Sequence, residues 1–173
     1  MLFRSGTADP VPALAAVRGD LGTADRYILA RLQRAVAEVT AAIEEYRFDA
    51  MANAIYRFFW SEFCDVYVEL AKSALEGGDA RAREATRATL VHVLDTAMRL
   101  LHPLCPFLSE EIWQLLPGRA ERWPAVAFCA VAPWPAVDAS LVDEVAEAEV
   151  GLLGEVASMV RNVRSEEHTS ELQ

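Results

Sequence analysis

Apolar positions recur at helical spacing over most of the chain. Between Tyr46 and Lys72 the run YRFDAMANAIYRFFWSEFCDVYVELAK sets Met51, Ile55, Phe58, Phe59, Phe63, Val66, Tyr67 and Leu70 three or four residues apart, or as adjacent pairs. One broad face results, heavy with aromatic rings, and more than one partner helix is needed to cover it. Asp49 is placed to cap this helix, and no Pro or Gly interrupts it before Gly77. The pattern predicts the central helix of a bundle.

The flanking segments repeat the period. Ile28, Leu32, Ala35, Val36, Val39, Ile43 and Tyr46 predict a first helix, with Thr23 as N-cap and Asp25 in the first turn. It turns straight into the central helix, so the two are antiparallel neighbours. Residues 6–22 read as a linker with a short helix near Val11–Val17. After Gly77-Gly78, Asp79 caps a third helix over 80–101, which Pro103 stops. Ser109 caps a short fourth helix that ends at Pro117-Gly118. Residues 119–137, with Trp123-Pro124 and Pro133-Trp134-Pro135, read as an irregular strap with room for one short strand. Asp138 opens a last helix carrying Val142, Val145, Leu152, Leu153, Val156 and Val160. The expected class is all-α, an antiparallel helical bundle with a short irregular or strand-like strap.

Composition narrows the function. The 173 residues suit one domain, and although 53% are hydrophobic there is no apolar run of membrane-spanning length. Cys64, Cys105 and Cys129 stand alone at wide spacings, offering neither a disulfide framework nor a zinc pattern. A reducing, cytoplasmic setting is expected, with no metal site. A net charge of −10 argues against binding nucleic acid by blanket phosphate attraction. Reading a few exposed bases needs only local positive charge, and Arg26, Arg31, Arg34, Arg47 and Arg57 gather around the first two predicted helices. No Gly-rich phosphate loop or nucleophile motif appears. Glu62 and Asp65 lack the cleft and histidine of an acid–base couple, and His102 reads as a turn residue. No catalytic residue is expected.

The two ends read differently from the rest. MLFRS at 1–5 and RSEEHTSELQ at 164–173 look like translations of a common sequencing adaptor in its two orientations. The expected organisation is therefore adaptor-derived residues at 1–5 and 164–173, a linker at 6–22 and a helical domain at 23–163, the whole being a piece of a longer protein.

Particular stretches carry a resemblance. Asp25-Arg26-Tyr27-Ile28-Leu29-Ala30-Arg31-Leu32, Tyr46-Arg47-Phe48, Phe58-Phe59-Trp60-Ser61-Glu62-Phe63-Cys64-Asp65, Tyr67-Val68-Glu69-Leu70-Ala71-Lys72 and Leu100-Leu101-His102-Pro103 through Ile112-Trp113 are the main ones. Together they resemble the helical anticodon-binding domain of class I aminoacyl-tRNA synthetases of the valine, isoleucine and leucine group. FFWSEFCD, Ala132-Pro133-Trp134-Pro135 and Val160-Arg161-Asn162-Val163 look most like the valine branch. Tyr27 and Val66 depart from it, standing where the family usually has Trp or Phe, and Trp. Segments resembling the HIGH and KMSKS signatures are absent, as are the editing and coiled-coil parts. The resemblance implies a valine-accepting tRNA as partner, together with catalytic, editing and coiled-coil parts of the same chain. It also implies ATP and magnesium in the parent enzyme, and no cofactor in this piece.

Anticodon bases lie in a single-stranded loop, where they are stacked on aromatic or guanidinium planes and bonded on their edges. Arg26 and Tyr27, at the head of the first helix, offer a plane, a charge and a hydroxyl, and Arg31 lies about a turn further on. Arg47 could reach a backbone phosphate, as could Arg57, with surface salt bridging the competing role. The candidate RNA-binding residues are thus Arg26, Tyr27, Arg31 and Arg47. Trp60, Phe63 and Tyr67 are expected in the core, and Lys72 paired with a neighbouring carboxylate. Two other readings compete: the same domain from an isoleucine or leucine enzyme, and an acidic helical protein-interaction domain.

Overall fold

The computed structural model describes residues 11–77, 79–154 and 156. The adaptor-like ends and the expected Val160–Val163 signature lie outside them. The elements are α1 (Thr23–Glu44), α2 (Phe48–Tyr56), a π-helical segment (Arg57–Tyr67), α3 (Val68–Glu76), α4 (Ala80–Leu101), α5 (Pro106–Gln114), α6 (Arg119–Arg122) and α7 (144–154). A 3₁₀ turn, Leu14–Asp20, precedes α1. No strand occurs among the described residues, so the strap opens with the short α6 and continues as irregular chain with a 3₁₀ turn at Cys129–Val131, a second following at Ala139–Leu141. The class is all-α, and none of the described helices is long and apolar enough to cross a membrane.

One buried carboxylate sets the directions of the helices. Asp25 accepts from the Tyr67 hydroxyl at 2.7 Å, from Thr86 Oγ1 at 3.3 Å and from the Gly22 N–H at 3.1 Å. The starts of α1 and α4 therefore lie together, beside the end of the π segment. α1 and α4 run parallel, with the long helix from Phe48 to Glu76 antiparallel to both. Both have 22 residues and so reach about 33 Å at 1.5 Å per residue. The links at 45–47 and 102–105 share one end of the bundle, opposite the entry of the chain. We call that end distal.

Burial pushes the Asp25 carboxyl above its ordinary value, against the lowering effect of its hydrogen bonds from Tyr67, Gly22 and Thr86. A raised value in the fold means the protonated form is favoured there. Its contribution to stability is full below the unfolded value near 3.9 and is lost as pH rises through the folded value. The urea midpoint of Asp25→Asn should therefore gain on that of the unaltered chain as pH rises from about 4 toward neutrality. A difference independent of pH would contradict a charge buried at a cost.

The central helix departs from α geometry in its middle. Its buried residues are Met51, Ala54, Phe58, Phe63, Tyr67 and Ala71, and the step from Phe58 to Phe63 is five residues. A π segment widens the turn enough to keep both rings facing inward. Phe63 and Tyr67 are core, as their spacing implied. Trp60 is not: it is 55% exposed and stacks on Tyr56, ring centroids 6.3 Å apart. The wider turn that brings Phe58 and Phe63 inward carries Trp60 to the solvent side.

Several caps shift from their expected places. Gly22, not Thr23, caps α1, its N–H held by Asp25. α2 starts at Phe48 with Asp49 inside its first turn rather than capping it. α5 begins at Pro106, and Ser109 is buried with its hydroxyl donating back to the Cys105 carbonyl at 2.8 Å. His102 Nδ1 meets that hydroxyl at 2.9 Å, which knits the α4–α5 link. Asp138 caps only a 3₁₀ turn, while Asp143 caps α7 through the Ala146 N–H. Asp79 caps α4 as expected, accepting from the Arg81 N–H at 2.9 Å, and Lys72 pairs with Glu69 at 2.6 Å.

A second buried carboxylate anchors the strap. Asp95 Oδ1 accepts from the indoles of Trp113 at 2.9 Å and Trp123 at 2.8 Å, while Oδ2 accepts from Arg99 at 2.9 Å. Arg99 also covers the Trp123 ring and donates to the Pro133 carbonyl. From there the strap descends toward the base. Trp134 donates to Thr40, the Asp138 N–H donates to Gln33, and Asp143 reaches Arg26. Cys129 is buried under it, its thiol pushed up to about 11 by burial and by Glu110, which disfavours the thiolate.

Candidate nucleic-acid interface

The candidate residues do not form one site. Arg26 lies near the base of α1 and Arg47 beyond its far end, so about 27 Å of helix separates them. Tyr27 keeps 9% of its exposure and belongs to the hydrophobic core. Burial, with Glu62 nearby, pushes its hydroxyl above the ordinary value. Its ring is therefore packed against other helices and offers no open face to a base, contrary to the expectation from its place at a helix head. Arg26 is tied to Asp143 at 3.3 Å. Arg31 is held by Glu62 of the π segment through two hydrogen bonds, one of them 3.0 Å from Nε. Arg34 is paired with Glu147 of α7 at 2.7 Å. The arginines of α1 thus tie it to carboxylates of the π segment and of the chain around α7.

The distal end is different. α1 ends in a Schellman turn: the Arg47 N–H donates to Ala42 and the Tyr46 N–H to Ile43. The residue after the cap in such a turn takes a left-handed backbone, normally glycine. Here it is Tyr46, at φ 57°, an arrangement costing about 1–2 kcal/mol for an L-residue. The turn projects the Tyr46 ring, 81% exposed, and α2 opens with Phe48, 57% exposed. Across the same end, Pro106 starts α5 and leaves Phe107 90% exposed, with Leu104 and Leu108 beside it. Arg47 stands between the first two rings in sequence, and among the described residues its ion pair is with Glu45, in an exposed contact. Arg57 is likewise exposed and paired with Glu38. Such surface pairs are worth about 0–1 kcal/mol and exchange readily for a phosphate.

Three exposed rings at one end, with exposed and weakly paired arginines near them, are what an unpaired loop requires. Base stacking on a side chain contributes about 1–3 kcal/mol per base, and every base has a face to stack. Of the four candidate residues, only Arg47 lies here. The rings were present in the sequence at Tyr46-Arg47-Phe48 and Pro106-Phe107, without a sign of which would face solvent. The one local signal was an aromatic residue in the turn position that favours glycine. Among the described residues, no group of His, Cys, Asp or Glu is arranged to hold a metal ion.

Comparison with known proteins shows the family of the chain. Residues 25–172 match the family described as the anticodon-binding domain of tRNA ligase. The chain is 45% identical over 142 residues to the valine--tRNA ligase of Chromobacterium violaceum, covering 82% of this chain and 15% of that protein. It is 44% identical over 151 residues to the valine--tRNA ligase of Bacillus subtilis, covering 87% of this chain and 16% of that protein. The chain thus spans about a sixth of the length of these curated relatives.

Proposed function

Because this chain belongs to the anticodon-binding domain family of tRNA ligases, we propose that its distal end receives the anticodon loop of a valine-accepting tRNA. The observation that carries this reading is the set of exposed rings at the distal end, Tyr46 and Phe48 flanking Arg47 in sequence and Phe107 at the start of α5. Bases splayed from the loop lie on the rings, and Arg47 and Arg57 take backbone phosphates. The buried Asp25 and Asp95 clusters keep the bundle stiff, so that the platform is formed before RNA arrives. In this reading the joining of valine to tRNA, with ATP and magnesium, belongs to catalytic parts of a longer cytoplasmic ligase, and this domain supplies position alone.

A hairpin RNA carrying a valine anticodon tests it. Titrated against the chain, the hairpin should bind saturably, weaken as salt rises, and be displaced by the same loop closed on an unrelated stem. Equal displacement by a duplex without a loop would remove the proposal.

A further inference from the structure

Behind the Tyr46-Arg47-Phe48 turn, α1 and α2 part to leave a groove of about 380 Å³, within the size range of small-ligand pockets, about 300–1,000 Å³. Its floor is made of methyl groups, from Ala42, Ala50 and Ala54, two of them fully or nearly buried. Such a floor is flat, apolar and close to the backbone, which admits a planar ring that a larger side chain would exclude. Arg47 and Arg57 stand on the rim. Their partners Glu45 and Glu38 are themselves about half exposed, so either guanidinium can turn to an anion. Asn53 also lines the groove. Its amide has no hydrogen-bond partner among the described residues, and it offers a donor and an acceptor side by side.

We infer that this groove holds one unstacked nucleotide of the bound loop, its base on the alanine floor with Asn53 at its polar edge and its phosphate between Arg47 and Arg57. The inference rests on the proposed reading and adds to it a place where a base is enclosed rather than laid on an open ring. Arg47 joins the two, because it lines the groove and stands between Tyr46 and Phe48. Glu38, also on the rim, gives up Arg57 to the phosphate and turns outward.

An abasic scan separates the two ideas. The same hairpin is prepared with a single base removed at each loop position in turn. With the unaltered chain, removal at one position should weaken binding by about tenfold. Ala41→Leu and Asn53→Leu fill the groove from opposite walls, both at exposed helical positions where leucine is well tolerated. Each should weaken the intact hairpin about as much, and removing that same base should then cost nothing further. If both filled variants keep the affinity and abasic profile of the unaltered chain while Phe48→Ala weakens binding, the groove is empty in the complex and this inference alone is overturned. If the unaltered chain binds no loop at all, the reading beneath it falls, and the groove assignment with it.

Discussion

Asp95→Ala is expected to cost the fold about 3–5 kcal/mol. Asp95 is 4% exposed and is the acceptor for two indole N–H groups and for Arg99. Removing it strands the buried Trp113 indole, deprives the part-buried Trp123 indole of its acceptor and leaves Arg99 without its counter-charge, and each unsatisfied group carries a desolvation cost of about 1–3 kcal/mol. A domain of this size is stable by only about 5–15 kcal/mol, so the variant should lie near the edge of folding. The damage should also be local in character. Trp123 and the strap would lose their anchor to α4, so near-ultraviolet signals from Trp113 and Trp123 should broaden before helix content falls. Asp95→Asn keeps one oxygen for the indoles and gives up the ion pair, and should lose about 1–3 kcal/mol. A urea midpoint for Asp95→Ala close to that of the unaltered chain would show that the strap is held by other contacts.

Tyr46 should show opposite signs in stability and in binding. Its left-handed backbone is strained for any residue with a Cβ. Tyr46→Gly should therefore stabilise the bundle by about 1 kcal/mol. The same change removes an open ring, so hairpin affinity should fall by about five- to a hundredfold. A protein that needed Tyr46 only for the turn would show the first effect without the second. Retained strain beside an exposed ring is the usual mark of a position kept for its ligand.

The helices were legible because burial imposes a period, and residues such as Ile28, Leu32, Val36 and Val39 report it directly. What was not legible depended on partners distant in sequence. Arg26, Arg31 and Arg34 formed a plausible basic face until Asp143, Glu62 and Glu147 closed on them from other elements. Tyr27 stood at a helix head, but the helices packed around α1 cover its ring. The π segment was hidden for a different reason. Adjacent apolar pairs such as Phe58-Phe59 and Val66-Tyr67 satisfy an α pattern and a wider one equally well, so the outward turn of Trp60 had no sequence signature. Caps moved by a residue or more because Thr23, Asp49 and Ser109 all have neighbours able to start the helix instead. The distal platform needed topology: only the parallel course of α1 and α4 brings Tyr46-Arg47-Phe48 to the same end as Phe107.

The most direct measurement compares the two ends of α1 on one hairpin. Phe48→Ala and Arg26→Ala are titrated side by side with the RNA carrying a valine anticodon, at the same salt. Phe48→Ala should weaken binding by about tenfold or more, and Arg26→Ala should leave it within about twofold, since α1 holds Arg26 at the opposite end from the rings. Loss of affinity on Arg26→Ala with Phe48→Ala unchanged would place the RNA at the base of the bundle and contradict the distal site.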